Sequence, residues 1–223
     1  MSNKIKISRA IMNPSENISP EMLERQFVYR QTGKFIGESE IVLADIKEPV
    51  WWNRPLKSET LLKQESDGMF SYNLPYISHE ESYKTGYNLL LGKNSLPIAV
   101  HLKIDDSWTN AQINGIRKML TYAVLNALYD LGAPREKIAL VNNDILYDGK
   151  KFVGDEQRLD GQYFTENMVI TLNYTKEAEL FNRLTGKYAL MRGICGIIEE
   201  TNCFTKEQFI DAIISNIKKY FKK

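Results

Sequence analysis

The sequence predicts an α+β fold: a mixed, mostly antiparallel sheet flanked by helices. Short alternating segments gather as hairpins, and helical periodicities lie between and after those groups. No internal repeat and no Pro/Gly/Ser-rich linker divides the 223 residues, so one domain over 1–223 is expected. A domain of that size can bury a sizeable core without disulfide or metal staples.

Lys4 to Ser8 alternates, with Ile5 and Ile7 on one face, and reads as a first strand. Ser19-Pro20-Glu21 has the form of a helix start, with Ser as cap, Pro at the first helical position and Leu23 and Phe27 inside. Glu40 to Ala44 is a second strand. Between 47 and 97, turn signals, prolines and aromatics predict short strands and loops. Ile98 to Ile104 alternates cleanly: Ile98, Val100, Leu102 and Ile104 face the core, and His101 faces the other way. Ile113, Ile116, Leu120, Val124, Leu128 and Leu131 recur at helical spacing, and Gly132 with Pro134 closes that helix. Lys137 to Val141 and Asp144 to Tyr147 are strands. Asp148-Gly149 is the type I′ hairpin pair, so Lys150 to Val153 should return antiparallel. Met168 to Asn173 is a further strand. Thr175 begins a helix with Leu180, Phe181 and Leu184 inside, closed at Gly186. Thr205-Lys206-Glu207-Gln208 has the form of a capping box, opening a last helix that buries Phe209, Ile213, Ile217 and Phe221.

The composition is that of an ordinary globular chain, 43% hydrophobic and 26% charged. Twenty-nine basic against 28 acidic residues leave a net charge of +1, which predicts neither nucleic-acid nor membrane partners. Lys218, Lys219, Lys222 and Lys223 read as a solvated helix end. Two cysteines, Cys195 and Cys203, make no disulfide framework. No signal-peptide pattern and no run of eighteen apolar residues is present, so the cytoplasm is the expected compartment.

Several residues are candidates for chemistry, each with a bland alternative. A lysine just inside the Asp148-Gly149 hairpin can hold an ammonium over the sheet, where it suits a carboxylate or phosphate; a solvated strand lysine is the ordinary case. Asn142-Asn143-Asp144 offers amides and a carboxylate to a nucleotide or metal, and equally suits a plain turn. Cys195-Gly196 offers a thiol, but neither His79 nor His101 is near in sequence, and a buried inert cysteine is the commoner state. Gly86 and Gly92 are sparse for a phosphate cradle. Trp51-Trp52 suits packing better than recognition.

Four stretches together resemble the lipoate–protein ligase family, which shares its fold with octanoyltransferases and biotin–protein ligases. Val124-Leu125-Asn126-Ala127-Leu128-Tyr129-Asp130-Leu131-Gly132 is similar to the family's helix ending "LNALxxLG". Asn143-Asp144-Ile145 resembles its "NDI/NDL" strand start. Asp148-Gly149-Lys150-Lys151-Phe152-Val153-Gly154 resembles its "DGRKVSG" hairpin, in register on to Leu172-Asn173. Arg192-Gly193-Ile194-Cys195 through Thr201-Asn202 resembles its late "KGITSVRSRVTNL" segment. The likeness covers residues 110–221 well and the earlier chain weakly.

The resemblance implies a fold of the class II aminoacyl-tRNA-synthetase and biotin–lipoate-ligase type. It assigns Lys151 as the catalytic lysine that contacts the acyl carboxylate and the phosphate of an acyl-adenylate. Asn143, Asp144, Gly154 and Gly86 become the binding residues, with no resident metal site. It implies ATP and Mg²⁺, lipoate or octanoate as the acid, and a lipoyl-domain or H-protein-like acceptor. The pattern also departs from the family. Its "RRxSGGGxVxHD" motif is represented by Tyr83-Lys84-Thr85-Gly86-Tyr87-Asn88, with one glycine and no arginine pair. Val153-Gly154-Asp155-Glu156 stands where the family has small residues, and Glu166-Asn167-Met168 where it has "HHG". The chain ends at Lys223, so the family's accessory domain would come from a separate chain. Two functions follow as expectations: acyl transfer to a protein lysine, or a catalytically degenerate relative serving as a binding or assembly subunit, a viral structural one included.

Overall fold

A computed structural model describes residues 5–12, 39–46, 50–53, 76–78, 88–91, 94–104, 107–141, 144–160, 163–173 and 195–221. The helices expected from Ser19 and Thr175, together with Gly86 and Asn143, lie outside the described residues.

Seven strands form the main sheet: β1 (Lys6–Met12), β2 (Glu40–Ile46), β6 (Ser95–Lys103), β7 (Ile138–Val141), β8 (Asp144–Tyr147), β9 (Lys150–Asp160) and β10 (Tyr163–Thr171). Their order across the sheet is β1-β2-β6-β10-β9-β8-β7. Only β1 and β2 run parallel; every other neighbouring pair is antiparallel, as the hairpin-rich pattern requires. A second sheet joins β3 (Val50–Asn53) to β4 (Tyr76–Ser78) and β5 (Asn88–Leu91), in the stretch expected to hold short strands.

One face of the main sheet carries the core. Ile41 and Leu43, Ile98, Val100 and Leu102, Phe164, Met168 and Ile170, and Ile145 and Val153 are all buried in one cluster with the helices. Those helices are α1 (Asn110–Arg117), α2 (Met119–Asp130), α3 (Ile197–Thr201) and α4 (Lys206–Phe221). The opposite face carries Val42, Ala44, Ala99, His101 and Thr165, also buried but outside that cluster. His101 therefore points where the alternation predicted.

The single helix expected over 113–131 is two. Lys118 (φ −105°, ψ −3°) breaks it, three residues after Gly115, whose missing side chain lowers helix propensity. Thr109 and Gln112 form a complete capping box at the start of α1, a Thr-x-x-Gln signal readable in the sequence but not used above. Gly132 (φ +88°) supplies the left-handed residue that ends α2. The capping box at Thr205 and Gln208 is present: the Thr205 N–H donates to Gln208 Oε1 (2.8 Å) and the Gln208 N–H donates to Thr205 Oγ1 (3.3 Å). Asp148 (φ +49°) and Gly149 (φ +79°) both take the left-handed conformation that a type I′ turn demands. β9 and β10 are each longer than expected, because the sheet's pairing carries the polar residues 154–160 and 163–167 that pattern alone leaves out.

Candidate active site

The hairpin β8–β9 positions Lys151, and an irregularity in it sets the direction. Tyr147 pairs with Lys150 and Leu146 with Lys151, but Ile145 pairs with Val153. Phe152 is thus an extra residue, a β-bulge. Phe152 and Val153 both enter the core cluster, and Lys151 is turned to the opposite face. That placement is confirmed by Gly154: a Cβ built there would lie 3.1 Å from both Cε and Nζ of Lys151. The end of the lysine side chain lies across Gly154, where an added Cβ would force it to shift by a few tenths of an ångström.

The ammonium does not stand alone. Lys151 Nζ lies 2.7 Å from Asp144 Oδ1, with the two side chains 39% and 30% exposed. Asp144 opens β8, so the strand start brings carboxylate, ammonium and glycine together. Three of the five residues singled out in the sequence, Asp144, Lys151 and Gly154, are therefore one constellation.

Asp155, in the stretch where the family has small residues, belongs to the other side. It pairs with the core residue Met168 and hydrogen-bonds through Gln157, whose Nε2 donates to Asp155 Oδ2 (3.2 Å), to Glu166 Oε1 (2.9 Å) and to the Arg117 carbonyl (2.5 Å). Strand alternation thus turns the Asp155 carboxylate to the face opposite Lys151.

Cys195 is a neighbour of the site rather than a nucleophile. Its N–H donates to the Lys151 carbonyl (3.0 Å), which ties the late loop to the site strand. Its thiol is buried, lies 3.8 Å from the Lys150 carbonyl, and is pushed up to about 12 by burial, so it is not a thiolate at neutral pH. A nucleophilic role for the Cys195 thiol loses its physical basis. Lys150, one residue from the candidate lysine, is held elsewhere, 2.9 Å from Glu200 Oε1 in α3.

The pairing of an ammonium with a carboxylate beside a side-chain-free strand residue can take up a carboxylate or phosphate ester by exchange of the counter-ion. Among the described residues no group of three or more His, Cys, Asp or Glu is placed to hold a metal ion, and no helix is long and apolar enough to cross a membrane.

No family model and no curated protein matches the sequence. Solved structures do. Lipoate-protein ligase A bound with ATP is similar over 99% of this chain and 85% of its own, at 12% identity and TM-score 0.60. A bi-partite lipoate protein ligase from Thermoplasma acidophilum, studied with its E2 lipoyl domain, is similar over 97% of this chain and 84% of its own, at 12% identity and TM-score 0.58. The fold is that of the lipoate–protein ligases. A biotin protein ligase from Aquifex aeolicus, in complex with biotin and ATP, extends the likeness at 13% identity, TM-score 0.51 and 98% and 70% coverage. The resemblance read from the sequence thus holds for the fold. In this ligase fold Lys151 sits on the sheet face away from the described helices.

Proposed function

We propose that this ligase-fold chain is a divergent relative of the lipoate–protein ligases that transfers a lipoate- or octanoate-type acyl group to a lysine of a lipoyl-domain or H-protein-like acceptor. The observation that carries the reading is the bulge at Phe152, which aims the one motif-matched ammonium away from the core and lays it over Gly154. ATP, supplied with Mg²⁺, would serve as the activating substrate. The acid's carboxylate would displace pyrophosphate from the α-phosphate, and the acceptor's amine would then displace AMP from the acyl carbon. Lys151 offsets the negative charge that gathers on carboxylate and phosphate, a role that gains strength wherever water is excluded. Asp144 holds the ammonium in place until an anionic substrate competes for it. Asn143 and Gly86 are proposed as further binding residues on the resemblance alone.

The test is to incubate the purified chain, with and without a separately supplied accessory domain, with ATP, Mg²⁺, lipoate or octanoate and a lipoyl domain, and to weigh the acceptor. Acylation that Lys151→Ala abolishes supports the proposal. No mass gain under any combination, with no adenylate formed, sinks it.

A second reading has its own observation. Lys151 already has a carboxylate partner, and the end of its side chain lies over Gly154. A degenerate ligase-fold subunit would keep that pair closed. Melting temperatures that ignore lipoate, octanoate and their adenylates favour it, since a ligand of the folded state raises stability by mass action.

A further inference from the structure

The centre of β10 holds a glutamate where an apolar residue belongs. Glu166 follows Phe164 and precedes Met168 on the core-facing side, pairs across with Val100 on β6 and Gln157 on β9, and is 0% exposed. A buried carboxylate that is charged and unpaired is costly enough that such groups neutralise or find a counter-charge. What faces Glu166 is a second carboxyl, Asp155, within hydrogen-bond reach.

The donor count around the pair does not close. The Gln157 amide nitrogen carries two protons, yet three acceptors lie on it: Glu166 Oε1, Asp155 Oδ2 and the Arg117 carbonyl. Asp155 Oδ1 and Glu166 Oε2 are buried with no donor among the described residues. One added proton between the carboxyls closes the count. It supplies the missing donor, halves the buried charge, and leaves Gln157 its two protons for Arg117 and one carboxylate.

We propose that Asp155 and Glu166 share a single proton at neutral pH and act as a pH-keyed latch, joining β9 and β10 through Gln157 to the C-terminal end of α1. The junction lies beside the break at Lys118 and on the strand residue next to Gly154, so the latch steadies the backbone beneath Lys151. It does not depend on any acyl transfer.

Burial raises both groups, Asp155 to about 6 and Glu166 well above the usual carboxylate range. The charged groups acting on Asp155 are Asp144 on β8, which raises it, and Lys151 on β9, which lowers it. β6 places Val100 opposite Glu166, and α1 presents the Arg117 carbonyl to Gln157. The folded values lie above the unfolded ones near 4. The stabilisation is therefore complete below pH ~4 and is lost as pH rises through the folded values.

Glu166→Gln mimics the protonated form, since its amide can donate to Asp155. Thermal unfolding of wild type and this variant from pH 5 to 9 should show the variant gaining on wild type as pH rises, by on the order of 3–6 °C at pH 8. A gap that does not change with pH overturns the latch. Carbon-13 NMR of the wild type, labelled at Asp and Glu carboxyls, should show one buried carboxyl still protonated at pH 7; finding all ionised overturns it even if the variant fails to fold. Millimolar Mg²⁺ or Ca²⁺ that raises the wild-type melting temperature at pH 8, but not that of the variant, would replace the proton with a cation and equally overturn it.

Discussion

Lys151 and Leu146 oppose each other on one side of the sheet because Phe152 is an extra residue in β9; strict alternation back from Val153 would turn the lysine into the core. The consequences can be tested one side chain at a time. Lys151→Ala should leave the fold intact and lower acyl transfer by at least about tenfold, the scale of one lost charge-assisted contact. Lys151→Arg should not rescue it, because a planar guanidinium does not reproduce the compact point charge of an ammonium. Gly154→Ala sets a methyl 3.1 Å from Cε and Nζ, so the ammonium must shift by a few tenths of an ångström. The measurement is acceptor acylation beside far-UV circular dichroism, and activity loss without loss of fold is the expected outcome. Asp144→Asn removes the partner of a pair that is about one-third exposed, so urea unfolding should change by less than about 1 kcal/mol. Cys195 should resist alkylation by a thiol reagent at pH 8 in the native state, where the exposed Cys203 reacts.

Helix α4 illustrates how an element is anchored. Its apolar stripe of Phe209, Ile210, Ile213 and Ile217 is fully buried, and it packs on α2, where Asn216 Nδ2 donates to Asp130 Oδ2 (3.0 Å). Its first turn is fastened to the sheet edge. Arg9 of β1 grips Glu207 with two hydrogen bonds, 2.6 and 2.9 Å, and Lys206 reaches the buried Asp45 of β2. The capping box adds the local signal that starts the helix there. Thr205→Ala should cost about 1 kcal/mol in chemical denaturation, the usual worth of a cap, while Phe209→Ala should cost about 3–5 kcal/mol by opening a cavity. Equal effects for the two would contradict the view that packing, more than capping, holds α4.

Across the whole molecule the sheet divides two kinds of titration. On the helix side the carboxyl pair destabilises as pH rises. On the other face burial lowers His101 to about 4. A histidine whose folded value lies below its unfolded value near 6.5 contributes stability that is present above that pH and lost as pH falls toward 4. Between pH 4 and 6.5 the two contributions therefore oppose each other, and above that window only the loss from the carboxyl pair continues. His101→Gln should flatten the acid limb between pH 6.5 and 4 without touching the alkaline one. Melting curves across pH decide it, and an unchanged acid limb counts against the assignment.

Much of this was local and hence legible in one dimension. The Asp148-Gly149 turn needs two positive φ angles that few residue pairs accept, Thr205-x-x-Gln208 satisfies its own helix end, and the alternation of 98–104 follows from the two-residue period of a strand. Resemblance in four motifs pointed to the fold that the solved structures bear out. What tertiary structure alone decided is which face a residue takes once pairing departs from a period. The bulge at Phe152 depends on β8 as much as on β9, the break at Lys118 on what α1 and α2 each cover, and the burial of Glu166 on strands distant in sequence. Whether Lys151 is a bland surface lysine or an aimed one rests on those long-range pairings, because a strand's register is a property of two strands and is written in neither alone.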